Sequence, residues 1–176
     1  MKHLIIALSL TTFLFTSCKE QANHTPSQEK VSIVEETLPA NLFSDVSGEA
    51  ISVTDAKAKK TGEEVIISGK VLGARQVFVD NRASFIIGNP DVLTSCDIRH
   101  GDNCKSPWDV CCEAPKDVQA NTINVQVLGA NDKILKANLE GKGDLNKLSH
   151  VIVKGKVSDQ SSDAVTIINA ESIQVK

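Results

Sequence analysis

The sequence predicts a small all-β barrel of five strands with one short helix. Three observations predict it. Apolar and polar residues alternate at period two in separate short runs. Turn-forming residues divide those runs. Glycine recurs in mid-strand, where a closing sheet must bend. The barrel is expected over residues 48–176, enough chain for one core, with a cysteine-rich insertion at 90–121.

In chain order the first element is a leader. Residues 1–18 read MKHLIIALSLTTFLFTSC. The charge at Lys2, an apolar run of about a dozen residues and the small Thr16-Ser17 pair make a secretory signal peptide. A permanent span would need roughly 20 apolar residues. LFTSC resembles the lipobox of bacterial lipoproteins, with Phe15 where Leu, Val or Ile is usual. The resemblance implies acylation at Cys18 and a partner in the membrane itself, reached through the N-terminal lipid. It places the chain in a bacterial cell envelope. Lys19, where an Asp would favour the inner membrane, points to the outer one. Residues 19–47 are rich in Glu, Gln, Ser, Asn and Pro and are expected to be a flexible tether.

The strands follow. EVIISGKVL (64–72) puts Val65, Ile67, Gly69 and Val71 on one face. QVFVD (76–80) and ASFIIG (83–88) flank a turn at Asp80-Asn81. TINVQVLG (122–129) alternates in the same way. GDLNKLSH (143–150) fits the short helix, with Asp144 as cap and Leu145 and Leu148 three apart. HVIVKGKV (150–157) and AVTIINAESIQV (164–175) complete the set. VIISGKV (65–71) and VIVKGKV (151–157) share five of seven positions, including the glycine. They read as two equivalent, strongly bent strands.

VIISGKV, ASFIIG, TINVQVLG, DLNKLSHVIVKGKV and TIINAESIQV together resemble the OB-fold, a five-stranded Greek-key barrel. In members that bind oligonucleotides the resemblance implies a basic groove with aromatic platforms. Lys70, Arg75 and Arg82 are the residues placed to rim such a groove. The composition argues against that use. The chain has 19 basic and 22 acidic side chains, and losing the leader removes one lysine and no acid, leaving a net charge of −4. It has no tyrosine, and its phenylalanines beyond the leader are Phe43, Phe78 and Phe85. Phe78 and Phe85 fall in strands and are expected in the core. Nucleic acid is therefore not the expected partner.

With Cys18 assigned to lipid, Cys96, Cys104, Cys111 and Cys112 remain, in CDIRHGDNCKSPWDVCC (96–112). The segment also resembles a C…C..PWD.CC motif of small secreted bacterial proteins, which implies no activity. An even number of cysteines in an oxidising compartment predicts disulfides. A bond between the neighbours Cys111 and Cys112 would be strained, so each is expected to pair with either Cys96 or Cys104. Which takes which stays open. Trp108 is expected to pack over a bridge or plug the barrel end, and to head a recognition surface for an envelope protein. The competing reading is a zinc or copper site drawn from Cys96, His100, Cys104, Cys111 and Cys112. Their C-x7-C-x6-C-C spacing is not the C-x2-C knuckle of structural zinc sites. Thiol-redox chemistry at these cysteines is the third reading, although C-x-x-C is absent. No G-x-S-x-G, H-E-x-x-H or glycine-rich phosphate loop occurs. The expected function is a membrane-anchored, non-catalytic binding module without a cofactor, presenting a disulfide-stapled loop. Metal or redox use of the cysteines, and oligonucleotide binding by the barrel, are the alternatives.

Overall fold

The computed structural model describes residues 35–99, 101 and 104–176. Cys18, the leader, the tether up to residue 34, His100 and Asp102 lie outside these described residues. Among the described residues no helix is long and apolar enough to cross a membrane.

The elements are β1 (Ile51–Ser52), α1 (Val53–Ala56), β2 (Glu64–Lys70), β3 (Phe78–Val79), β4 (Arg82–Gly88), α2 (Pro115–Ala120), β5 (Thr122–Gln126), β6 (His150–Val157) and β7 (Ile167–Val175). The sheet runs β1-β2-β6-β7-β5-β4-β3, and Lys70 also pairs with Gly88. That extra contact closes β2, β6, β7, β5 and β4 into a five-stranded barrel of OB-like order, with β5 and β7 its parallel pair. The period-two pattern explains the core. Val65, Ile67, Phe85, Ile87, Ile123, Val125, Val151, Val153, Ile168 and Ile173 are all buried in one cluster. Phe78 and Phe85 stack inside it, ring centroids 5.9 Å apart, as their strand positions predict.

The two similar strands are direct partners. Val65 faces Gly155 and Gly69 faces Val151, symmetrically about Ile67–Val153. The expected bend is present at the second glycine. Lys154 pairs with Ser172 but Gly155 pairs with Ala170, so Glu171 is an extra residue on β7. The bulge also switches the apolar phase of β7, which buries Ile168 before it and Ile173 after it.

Two expectations fail. Residues 143–149 of the segment 143–150 form a series of turns rather than a helix, and His150 begins β6. Gly143, Asp144 and Leu148 have φ of 51°, 62° and 69°, and left-handed residues cannot propagate a right-handed helix. Leu145 is still fully buried, and Leu148 N–H donates to Val71 O at 2.9 Å, so the turns pack on the barrel. The helices lie elsewhere. α1 is one turn capped by Ser52, whose Oγ accepts from Asp55 N–H at 3.0 Å. α2 begins at Pro115, where the missing N–H costs nothing. The second failure concerns the tether. Residues 35–47 are docked: Leu42 is fully buried, its carbonyl accepts from Ile173 N–H at 2.7 Å, and Glu36 N–H donates to Lys136 O at 2.9 Å.

Candidate metal centre on the cysteine insertion

The insertion leaves the barrel after β4 and returns at β5. Its base is pinched by Asn89 N–H donating to Asn121 O at 3.0 Å, while the Asn89 amide donates to Thr54 Oγ1 at 2.8 Å. Leu72, Leu93 and Val110 form a second small core beneath it, with Val118 packed alongside. Inside the loop, Cys96 N–H donates to Asp109 O and Asp97 N–H to Pro107 O, both at 2.9 Å. These two rungs hold the first cysteine against the strand-like approach to Cys111.

Lys70 and Trp108 fasten the loop to the barrel, and Arg99 and Glu113 tie the loop to itself. Lys70 Nζ lies 3.2 Å from Asp97 Oδ2, and Ser95 Oγ donates to Asp97 Oδ1. Arg99 and Glu113 form an ion pair at 2.6 Å. Trp108 Nε1–H donates to Arg75 O at 2.9 Å, its ring packs against the main core, and Lys147 Nζ sits 4.4 Å from the ring centroid. Trp108 is thus partly buried against the main core. Its indole N–H and its ring are both engaged within the chain.

The groove cations do not converge. Lys70 is buried and spent on Asp97, Arg75 contributes a carbonyl to Trp108, and Arg82 lines a separate hollow of about 270 Å³ with Gln76 and Asn124. Nothing in the sequence flagged the Lys70–Asp97 pair. The two residues are 27 apart, and Lys70 stands at an outward position of its strand by simple alternation. Burial alone would raise the Asp97 carboxyl. The Ser95 hydroxyl and the Lys70 charge outweigh it and hold the group below the usual carboxylate range. A depressed carboxyl stabilises the fold above its unfolded value, about 3.9. That contribution fades as pH falls through the lower folded value. Lys70→Met is expected to lower the unfolding free energy by about 2 kcal/mol at pH 7, because it strands Asp97. It should also flatten the acid limb of a urea-denaturation series between pH 5 and 3.

The thiols gather at the outer end of this frame. Cys96, Cys104 and Cys111 bring their Sγ atoms within 4.8 Å of one another, and Cys96 Sγ to Cys111 Sγ is 3.8 Å. A disulfide needs about 2.05 Å, so the two expected bridges are not closed in this structure. Cys96 is buried and Cys111 exposed. Burial, followed by the neighbouring Cys104 and Cys111, pushes the Cys96 thiol up. At Cys111 the hydrogen bond with Cys96 pulls down, but partial burial, Cys112 and Asp109 outweigh it and the thiol is also raised. Cys104 Sγ is 3.5 Å from Ser106 O. Sulfurs held about 2.3 Å from a tetrahedral ion lie roughly 3.8 Å apart, which is the spacing of the Cys96–Cys111 pair. Cys96, Cys104 and Cys111 are thus the residues that could hold a soft metal ion. No protein-family model, curated protein or solved structure matches the chain.

Proposed function

We propose that this protein is a non-catalytic, soft-metal-binding module of the bacterial envelope, carried on a lipid anchor at Cys18. The observation that carries the metal reading is the convergence of three sulfurs from positions 96, 104 and 111 within 4.8 Å. Thiolate donors select Zn²⁺ or Cu⁺ over hard cations. The barrel and its second core hold the donors in register before any ion arrives, so little ordering entropy is left for binding to offset. Because the empty thiols are raised, binding displaces protons, and affinity rises with pH. The anchor reading rests on the LFTSC segment and the leader before it.

Metal titration of the reduced full chain tests the reading. Co²⁺ should give a sulfur-to-metal charge-transfer band that saturates at one ion per chain, and Zn²⁺ should displace it. Cys96→Ser removes a ligand and is expected to weaken Zn²⁺ binding by more than about 100-fold, beyond the roughly 10–100-fold that losing an outer-shell contact costs. A reduced chain that binds neither ion, or a Cys96→Ser variant that binds as well as the parent, refutes it.

Against the oligonucleotide alternative stands the placement of the aromatics. Phe78 and Phe85 are buried, and Phe43 lies on Gly143. Base stacking needs exposed rings.

A further inference from the structure

The sequence leaves open which of the adjacent cysteines pairs with Cys96; the geometry points to an answer. We propose that Cys96 and Cys111 form a reversible disulfide, and that closing it excludes the metal ion from the same sulfurs. The pairing stands on position alone, while the exclusion rests on the metal reading above.

The two sulfurs are 3.8 Å apart, and the rungs Cys96–Asp109 and Asp97–Pro107 fix the chain on both sides of them. The sulfurs must approach by roughly 1.8 Å to reach bonding distance. The two thiols also differ in access, as stepwise exchange requires. Cys111 is exposed and open to an external disulfide. Cys96 is buried directly behind it, shielded from that disulfide but in reach of Cys111 Sγ.

The reaction is thiol–disulfide exchange with an external disulfide R–S–S–R. The Cys111 thiolate attacks one external sulfur, forms Cys111–S–S–R and expels RS⁻. Cys96 loses its proton to solvent and attacks Cys111 Sγ, forming the Cys96–Cys111 bond and expelling the second RS⁻. The two cysteines lose two electrons, the external disulfide gains two, and both protons end on the two RSH products. Of the three gathered sulfurs only Cys104 then keeps a thiol, so the three-thiolate set is dismantled. A cell envelope that is oxidising would keep the site empty and bridged. Reducing equivalents would open it for metal.

The test uses the full chain in glutathione buffers of graded reduced-to-oxidised ratio. Unreduced peptide mass mapping should find Cys96 linked to Cys111 as the dominant product. Zn²⁺-loaded protein oxidised in the presence of a chromogenic chelator should release one ion per bridge formed. Cys104→Ser should still form the Cys96–Cys111 link. A dominant Cys96–Cys112 or Cys104–Cys111 link overturns the pairing. Bridged protein that retains Zn²⁺ at unchanged affinity overturns the exclusion while leaving the metal reading standing. Reduced protein that binds no Zn²⁺ defeats the metal reading and the exclusion together, and the mass map then still decides the pairing.

Discussion

Gly155→Ala is expected to lower the unfolding free energy by about 3 kcal/mol, the upper end of what overpacking costs. A Cβ at residue 155 would lie 2.3 Å from Asn169 O and 3.0 Å from Ala170 Cα. Both are backbone atoms of β7, so no flexible side chain can swing aside. The contact sits at the bulge where β7 takes in Glu171, and that bulge sets which residues of β7 face the core. Pushing the strands apart there weakens the bulge and the burial of Ile173 together. Gly141→Ala is the matched control, since a Cβ there meets nothing within 4 Å and only its φ of 80° opposes the change. Its cost should be about 1 kcal/mol. Urea denaturation of the two variants beside the parent measures the difference. A loss below about 1 kcal/mol at Gly155 would mean that the bulge opens freely.

Leu42→Ala is expected to cost 2–5 kcal/mol, the range for deleting a fully buried leucine. Leu42 has no exposed surface, and Phe43 beside it pairs with Ile173 and lies against Gly143. By composition these residues belong to a polar tether, where the same substitution would change stability by less than about 0.5 kcal/mol. Urea midpoints separate the two cases, and protease protection of residues 35–47 in the parent, lost in the variant, would confirm docking.

Most strands were legible because period-two alternation is a local property. β6 begins and ends where HVIVKGKV does, and Val65, Ile67, Phe85, Ile123 and Ile168 are buried as their spacing requires. Of the two strongly bent strands expected from the shared glycine, a register shift marks only Gly155, and β2 pairs with β6 without interruption through Gly69. The helix expected at 143–150 misled for a local reason too. Leu145 and Leu148 are three apart, but glycines at 141 and 143 admit left-handed turns that spacing does not reveal. Leu38, Leu42, Phe43 and Val46 are scattered among polar residues and Pro39, with no period-two run to mark a strand.

At the site, the sequence marked Cys96, Cys104, Cys111 and Cys112 as a group but left two connectivities and a metal open. It placed Lys70 on a groove rim, but Lys70 is buried against Asp97, and it did not reveal that Trp108 reaches Arg75 of the barrel. By itself the sequence determined the all-β barrel, its core face and the presence of a cysteine cluster, since each depends on neighbours within a few residues. Only the tertiary structure decided which sulfurs meet, that Lys70 and Asp97 are partners, and that residues 35–47 belong to the fold. Those contacts include pairs 15, 27 and 103 positions apart. Such distances are closed by the path of the barrel strands, and no local pattern encodes them.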